Sequence, residues 1–208
     1  MYPGMDIILA VTGGIAACKA PELVRALRTE GMGVSVVMTS NSRQFVAPLT
    51  LEILSGRGVC SDTFDAPLAH VEMAQEANAL LVAPATLNTI SKFAGGIADN
   101  LLTTLLMTFR GVVLVAPAMN WRMYENPIFQ DKLQYLKGKG VIEVPPDAGE
   151  LACGEQGTGR MASIPTIVHA LKRALTAQDL SGLRVVVTAG ATRQPIDPVR
   201  FITNRSSG

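Results

Sequence analysis

Thr12-Gly13-Gly14 sits between an apolar run, Met5 to Val11, and a helical pattern. A loop of this kind aims backbone N–H groups at an anion, or is a tight turn and nothing more. The next apolar run, Val34 to Met38, ends in Thr39-Ser40, whose hydroxyls suit a phosphate. A dinucleotide site would want a fuller GxGxxG and an acidic residue at that second strand's end. The Walker pattern GxxxxGK(S/T) is also missing. A mononucleotide such as FMN therefore fits these residues better than NAD or ATP.

Other residues could act on a substrate. Of the two histidines, His169 falls in a closing helical stretch and reads as surface or packing. His70 precedes the third strand and is either structural or the natural proton acceptor near neutral pH. Val82-Ala83-Pro84-Ala85-Thr86-Leu87-Asn88-Thr89 and Val115-Ala116-Pro117-Ala118-Met119-Asn120 share a design of apolar strand, Ala-Pro-Ala, then Asn. Small residues let a planar ring approach the backbone, and Asn offers a donor and an acceptor; two helix N-caps are the alternative. Gly149 to Met161 is glycine-rich and carries Cys153. It reads as a mobile flap over substrate, or as an exposed loop with an incidental thiol. Cys18 and Cys60 read as packing residues.

These loops need elements to position them. Strands are expected at Met5–Val11, Val34–Met38, Leu80–Ala83, Gly111–Ala116 and Val141–Val144, with Pro84, Pro117 and Pro145 closing the last three. Helical patterns follow Gly14 and cover Leu87–Phe93, Asn100–Thr108, Pro127–Lys137 and Ile164–Ala174. Thr39 to Ser42 offers caps for one more piece. Strand alternating with helix predicts an α/β fold with a doubly wound parallel sheet, in three layers and flavodoxin-like or Rossmann-like. In such sheets ligands sit at the carboxyl ends of the strands, where all these loops begin. Gln178 to Gly182 reads as a linker and Leu183 to Thr188 as a new strand. The chain then stops in what reads as a loop, so a second domain is expected to be cut off, or its remnant to pack on the first. The division expected is residues 1–177 and residues 178–208.

The chain has 208 residues, 48% hydrophobic and 17% charged, with net charge +1. That is ample for a core and for buried subunit contacts, and it gives no electrostatic case for nucleic acid or an anionic membrane. No apolar run is long enough to span a bilayer, and the start lacks the basic region of a secretory signal. Three widely spaced cysteines form neither a disulfide framework nor a metal pair. No metal site is expected, and the cytoplasm is the simplest compartment.

Together these residues resemble the homo-oligomeric flavin-containing cysteine decarboxylases. The family's PASANT motif is similar to Pro84-Ala85-Thr86-Leu87-Asn88-Thr89, with Thr and Leu at its third and fourth positions. Its PxMNxxMW motif is similar to Pro117 through Met123, with Tyr124 where relatives often carry Trp. Its substrate clamp is similar to Leu151-Ala152-Cys153-Gly154 through Gly159-Arg160-Met161, and its active-site histidine falls on His70. The resemblance covers about residues 5–175. It implies FMN-dependent loss of CO2 from 4′-phosphopantothenoylcysteine, giving 4′-phosphopantetheine in coenzyme A biosynthesis. It implies His70 as base, Asn120 as holder of the substrate carboxylate and Cys153 as proton donor. Cofactor contacts are expected from Thr12, Gly13, Gly14, Thr39, Ser40, Phe45, Pro84, Ala85, Thr86, Leu87 and Asn88. Substrate contacts are expected from Asn120, Met123, Ala152, Gly154, Arg160 and Met161. The flavin is expected between subunits of a trimer or an assembly of trimers. A flavin prenyltransferase shares the fold but needs no Cys153 clamp, and a flavodoxin-like electron carrier leaves His70, Asn120 and the clamp unused.

The tail, Thr188 to Gly208, resembles the opening of phosphopantothenate–cysteine ligase, with Gln194 for the commoner Glu. That ligase uses CTP and Mg2+, and most of its nucleotide-binding body is expected to be missing here.

Overall fold

The computed structural model describes Tyr2, residues 4–62, 69–152 and 154–205, with the side chains of Ala69 and His70 outside that description. Two compact units are present, Met1–Thr176 and Ala177–Gly208.

The first unit is built on strands β1 (Asp6–Val11), β2 (Gly33–Met38), β3 (Ala79–Ala85), β4 (Val112–Pro117) and β5 (Ile142–Glu143). They form one five-stranded sheet in the order β2-β1-β3-β4-β5, every pairing parallel. The doubly wound sheet read from the strand and helix alternation is therefore present. Its order reverses at β1, which places the crevice between the loops after β1 and β3.

Alternation along β1 divides the core. Ile7, Leu9 and Val11 face one apolar cluster, shared with helices α1 (Ala20–Thr29) and α8 (Ile164–Leu175). Ile8 and Ala10 face the other, shared with α4 (Leu87–Ala94), α5 (Leu101–Thr108) and α7 (Pro127–Gly138). A strand with both faces covered reads as a continuous apolar run, and burying each such side chain contributes about 1.5–3 kcal/mol. Local chemistry fixes the helix starts. Asn100 caps α5 in a reciprocal box with Thr103, and Ser163 caps α8 through Thr166 N.

Several expectations need correction. β3 does not close at Pro84 but runs through a cis Ala83–Pro84 bond to Ala85, and β4 likewise includes Pro117. Ala85 pairs with Pro117 after a register shift, an irregularity that tolerates a residue lacking an N–H. Helices α2 (Pro48–Ser55) and α3 (Ala69–Glu76) were not resolved by periodicity. Cys18 is exposed rather than packed, while Cys60 is half-buried against the second cluster. The glycine-rich stretch is not a loop throughout: β6 (Asp147–Glu150) and β7 (Gln156–Arg160) pair as an antiparallel hairpin.

In the second unit, β8 (Arg193–Pro195) and β9 (Phe201–Thr203) form a hairpin. Asp197 shapes its turn by accepting from Val199 N at 2.9 Å and Arg200 N at 2.6 Å. Those N–H groups hold its carboxyl below the usual range. The strand expected at Leu183–Thr188 does not form. β-propensity alone cannot make a strand, because a strand exists through its ladder partner; Val186 and Val187 are exposed.

Candidate active site

The loops at the carboxyl ends of the strands are joined in a row. After β1, the buried Thr12 hydroxyl donates to Pro84 O at 2.7 Å and accepts from Thr86 N at 3.0 Å. After β3, Ala85 O accepts from Ala118 N at 3.0 Å. After β4, Met119 N donates to Gly159 O on β7 at 2.9 Å. The segments after β1, β3 and β4 and the strand β7 thus lie side by side along one edge.

At the β1–β2 side the contacts are steric and backbone-based. A Cβ on Gly13 would lie 2.4 Å from Asn41 Cβ, so only glycine lets these loops touch. On Gly14 the nearest atom would be Thr86 Cγ2 at 3.8 Å, which leaves that surface open. Both loops lead into 3-10 turns, Ile15–Lys19 and Ser40–Gln44, and neither Gly14 nor Thr39 makes a side-chain cap. By contrast, Thr86, Asn100, Asn126 and Ser163 cap their helices with side chains. Uncapped turn starts leave backbone N–H groups for an anion. This open, uncapped cradle fits the phosphate of a mononucleotide.

Individual residues fall as follows. Thr12 spends its donor on Pro84 O, so it acts as a weld between loops rather than as a free phosphate ligand. Thr39 is half-buried, with its hydroxyl 3.5 Å from Val11 O, and Ser40 is exposed. Phe45 is 42% exposed. Pro84 and Ala85 are buried, Thr86 and Leu87 half-buried. Asn88 is exposed within α4, whose cap is Thr86 and not the asparagine.

At the β4 side the contacts are made by side chains. Asn120 caps the short α6 (Trp121–Tyr124), its Oδ1 accepting from Arg122 N at 2.9 Å. Its Nδ2 donates to Glu155 Oε2 at 3.1 Å. Trp121 Nε1 donates to the same oxygen at 2.9 Å, and Arg122 Nη2 meets Glu155 Oε1 at 3.0 Å. The hairpin fits closely here. A Cβ on Gly157 would lie 2.6 Å from Trp121 Cβ, and one on Gly159 2.1 Å from Met119 O. Behind α6, Tyr124 OH donates to Glu143 Oε1 at 2.8 Å, and burial together with that carboxylate raises its pKa.

Met123, Ala152, Gly154 and Arg160 are exposed on or beside this hairpin. Met161 is not: it is 1% exposed inside the first apolar cluster, so its side chain anchors the end of β7 instead of reaching substrate. Cys153 and the His70 side chain lie outside the described residues; His70 belongs by its backbone to α3. His169 is exposed on α8. Sequence reasoning missed the contacts of Asn41, Trp121, Arg122 and Glu155: Trp121 and Arg122 fill the unspecified positions of the Pro117–Met123 motif, Asn41 reads only as a possible cap, and Glu155 stands in no pattern. Among the described residues, no helix is long and apolar enough to cross a membrane, and no cluster of His, Cys, Asp or Glu could hold a metal.

The family model described as Flavoprotein matches residues 1–176, and that of the DNA/pantothenate metabolism flavoprotein C-terminal domain matches residues 180–208. The coenzyme A biosynthesis bifunctional protein CoaBC of Vibrio cholerae is 44% identical over 209 residues, which are 99% of this chain and 52% of that protein. The chain thus spans about half the length of the curated relatives it matches. Among solved structures, a mutant PPC decarboxylase complexed with pantothenoylaminoethenethiol superposes with a TM-score of 0.73 at 31% identity, over 81% of this chain and 97% of that one. The FMN binding protein AtHal3 gives 0.70 at 32% identity, over 82% and 96%.

Proposed function

Because this chain belongs to the flavoprotein family, we propose that it is an FMN-dependent decarboxylase converting 4′-phosphopantothenoylcysteine to 4′-phosphopantetheine in coenzyme A biosynthesis. One observation carries the reading: the loops bearing the decarboxylase motifs are hydrogen-bonded side by side at the crevice of the sheet. The likeness to a PPC decarboxylase over 81% of the chain supports it.

FMN, when bound, supplies the electron sink that a cysteine carboxylate lacks on losing CO2. Gly13, Gly14 and the turn after Thr39 would hold its phosphate, and Phe45 with Pro84–Leu87 would frame its ring. Small residues at Ala85 and Ala118 leave room for a planar group, and the Thr12 weld keeps the two loops in register. His70 takes a proton from the substrate. Asn120 holds the carboxylate, and Cys153 returns a proton to the decarboxylated intermediate; the roles of His70 and Cys153 rest on their positions in the sequence. Met123, Ala152, Gly154 and Arg160 border the substrate.

Ile15 follows the first cofactor loop, and Phe45, Leu49 and Ile53 recur every four residues after the second; all four are exposed apolar side chains. Exposed apolar side chains near the cofactor loops support a homo-oligomer, a trimer or an assembly of trimers, with the flavin at the subunit boundary. The working compartment is the cytoplasm. Residues 1–177 form the decarboxylase domain, and residues 178–208 the linker and opening of a ligase domain. In the whole protein, that domain would join cysteine to 4′-phosphopantothenate with CTP and Mg2+.

Cys153→Ser tests the mechanism, since a hydroxyl is far less acidic than a thiol. The variant is expected to keep FMN and release about one CO2 per site before stalling short of 4′-phosphopantetheine, as a single step needing no returned proton would. Full turnover would remove Cys153 from the mechanism.

A further inference from the structure

Three consecutive residues turn their N–H groups onto one carboxylate. Asn120 Nδ2 and Trp121 Nε1 converge on Glu155 Oε2 at 3.1 and 2.9 Å, and Arg122 Nη2 reaches Oε1 at 3.0 Å. An amide, an indole N–H and a guanidinium are all donors toward this oxygen pair, one of them charged. The set is held in place from both sides. Asn120 Oδ1 is engaged by Arg122 N, which fixes the end of the amide that faces Glu155. Arg122 lies over the Trp121 ring at 5.3 Å, and β7 is docked through Met119 N to Gly159 O. This is a built carboxylate site at the carboxyl end of β4, and the chain fills it with its own side chain.

The substrate of the proposed reaction carries a carboxylate beside the reacting carbon. We propose that Asn120, Trp121 and Arg122 together receive that carboxylate, and that Glu155 is a chain-borne stand-in which the substrate displaces. The assignment rests on the decarboxylase reading, and it adds two residues to the asparagine. Two carboxylates cannot share the donors, because like charges at contact distance repel. Exchange is feasible because the Glu155 and Arg122 side chains are 38% and 69% exposed, so water replaces lost contacts. The hairpin need not detach. Its backbone bond at Gly159 and the close contacts of Gly157 and Gly159 do not involve the Glu155 side chain, which leaves by rotating about its own bonds.

Trp121 is the single tryptophan of the chain, so its emission reports on the donor set directly. The FMN-loaded protein would be titrated with 4′-phosphopantothenoylalanine, which keeps the carboxylate and lacks the thiol. The N-ethyl amide of 4′-phosphopantothenate, which lacks both, serves as the paired ligand. In the unmodified protein, the acid should shift Trp121 emission and the N-ethyl amide should leave it in place; equal responses overturn the assignment. Glu155→Gln removes the competing charge. It should bind the acid about three- to tenfold more tightly, as expected when a competing state is removed, with affinity for the N-ethyl amide unchanged. Weaker binding of the acid, or a parallel change for both ligands, would mean that Glu155 positions Asn120 instead. Should the variant fail to fold, the paired titration of the unmodified protein decides alone. CO2 release from 4′-phosphopantothenoylcysteine by the unmodified protein separates the two levels. If release occurs and the ligand pattern fails, only this assignment falls; if neither ligand binds and no CO2 appears, the decarboxylase reading falls with it.

Discussion

On the β1–β2 side of the sheet edge, glycine and backbone form the site, with Gly13 pressed on Asn41 and uncapped turns beyond it. On the β4 side, the amide, indole and guanidinium of Asn120, Trp121 and Arg122 gather on Glu155. The first region offers shape and fixed N–H groups, which would suit a resident group that stays in place. The second offers charged and polar side chains in partial contact with water, which would suit a ligand that comes and goes. Substitutions should therefore act differently in the two. A single added carbon is damaging wherever backbones touch, at Gly13 and also at Gly159 beneath the β4 side, whereas changed charge or donor count matters only where side chains gather on Glu155.

Gly13→Ala should have the largest effect. Its Cβ would lie 2.4 Å from Asn41 Cβ and 3.0 Å from Asn41 C, so a loop must move. Overpacking of this kind costs about 1–3 kcal/mol, enough for roughly a tenfold or greater loss of FMN. Flavin absorbance per protein after desalting measures it, and full occupancy would show that the loop is not the cradle.

Gly159→Ala should break the other region while sparing the first. Its Cβ would fall 2.1 Å from Met119 O, forcing β7 off the Asn120 segment. Flavin content should stay near one per chain while KM for 4′-phosphopantothenoylcysteine rises about tenfold, the scale of one lost backbone contact plus strain. Loss of flavin together with substrate would mean that the two regions do not act separately.

Thr12→Val should have the smallest effect on binding, its cost falling on stability. It keeps the shape but leaves Pro84 O and Thr86 N without their partner. Unsatisfied buried groups cost about 1–3 kcal/mol, and each kcal/mol lowers the melting temperature by roughly 2–4 °C in a chain of this size. A melting curve checks the fall, and an unchanged midpoint would show that water replaces the weld.

The five strands and most helices were legible because burial on both faces writes continuous apolar runs, as in β1 and β4, and side-chain caps such as Asn100 mark helix starts. The hairpin of β6 and β7 was not. Its Gly157 and Gly159 are there to meet Trp121 and Met119, and a glycine chosen for a distant neighbour looks locally like flexibility. Pro84 misled for a similar reason, since its place in β3 depends on the register shift against β4. At the site, the order of motifs pointed to Gly13, Thr86 and Asn120. Glu155 could not be read, because its three partners lie more than thirty residues away in sequence. Met161 looked like a clamp residue by its neighbours in the chain, yet it points into the core.

Carboxyl-labelled 4′-phosphopantothenoylcysteine offered to the flavin-stripped and the FMN-reconstituted protein tests the central claim most directly. The stripped protein should release no labelled CO2, and FMN, but neither FAD nor NAD, should restore release. Release without flavin, or none with FMN bound, would contradict an FMN-dependent decarboxylase.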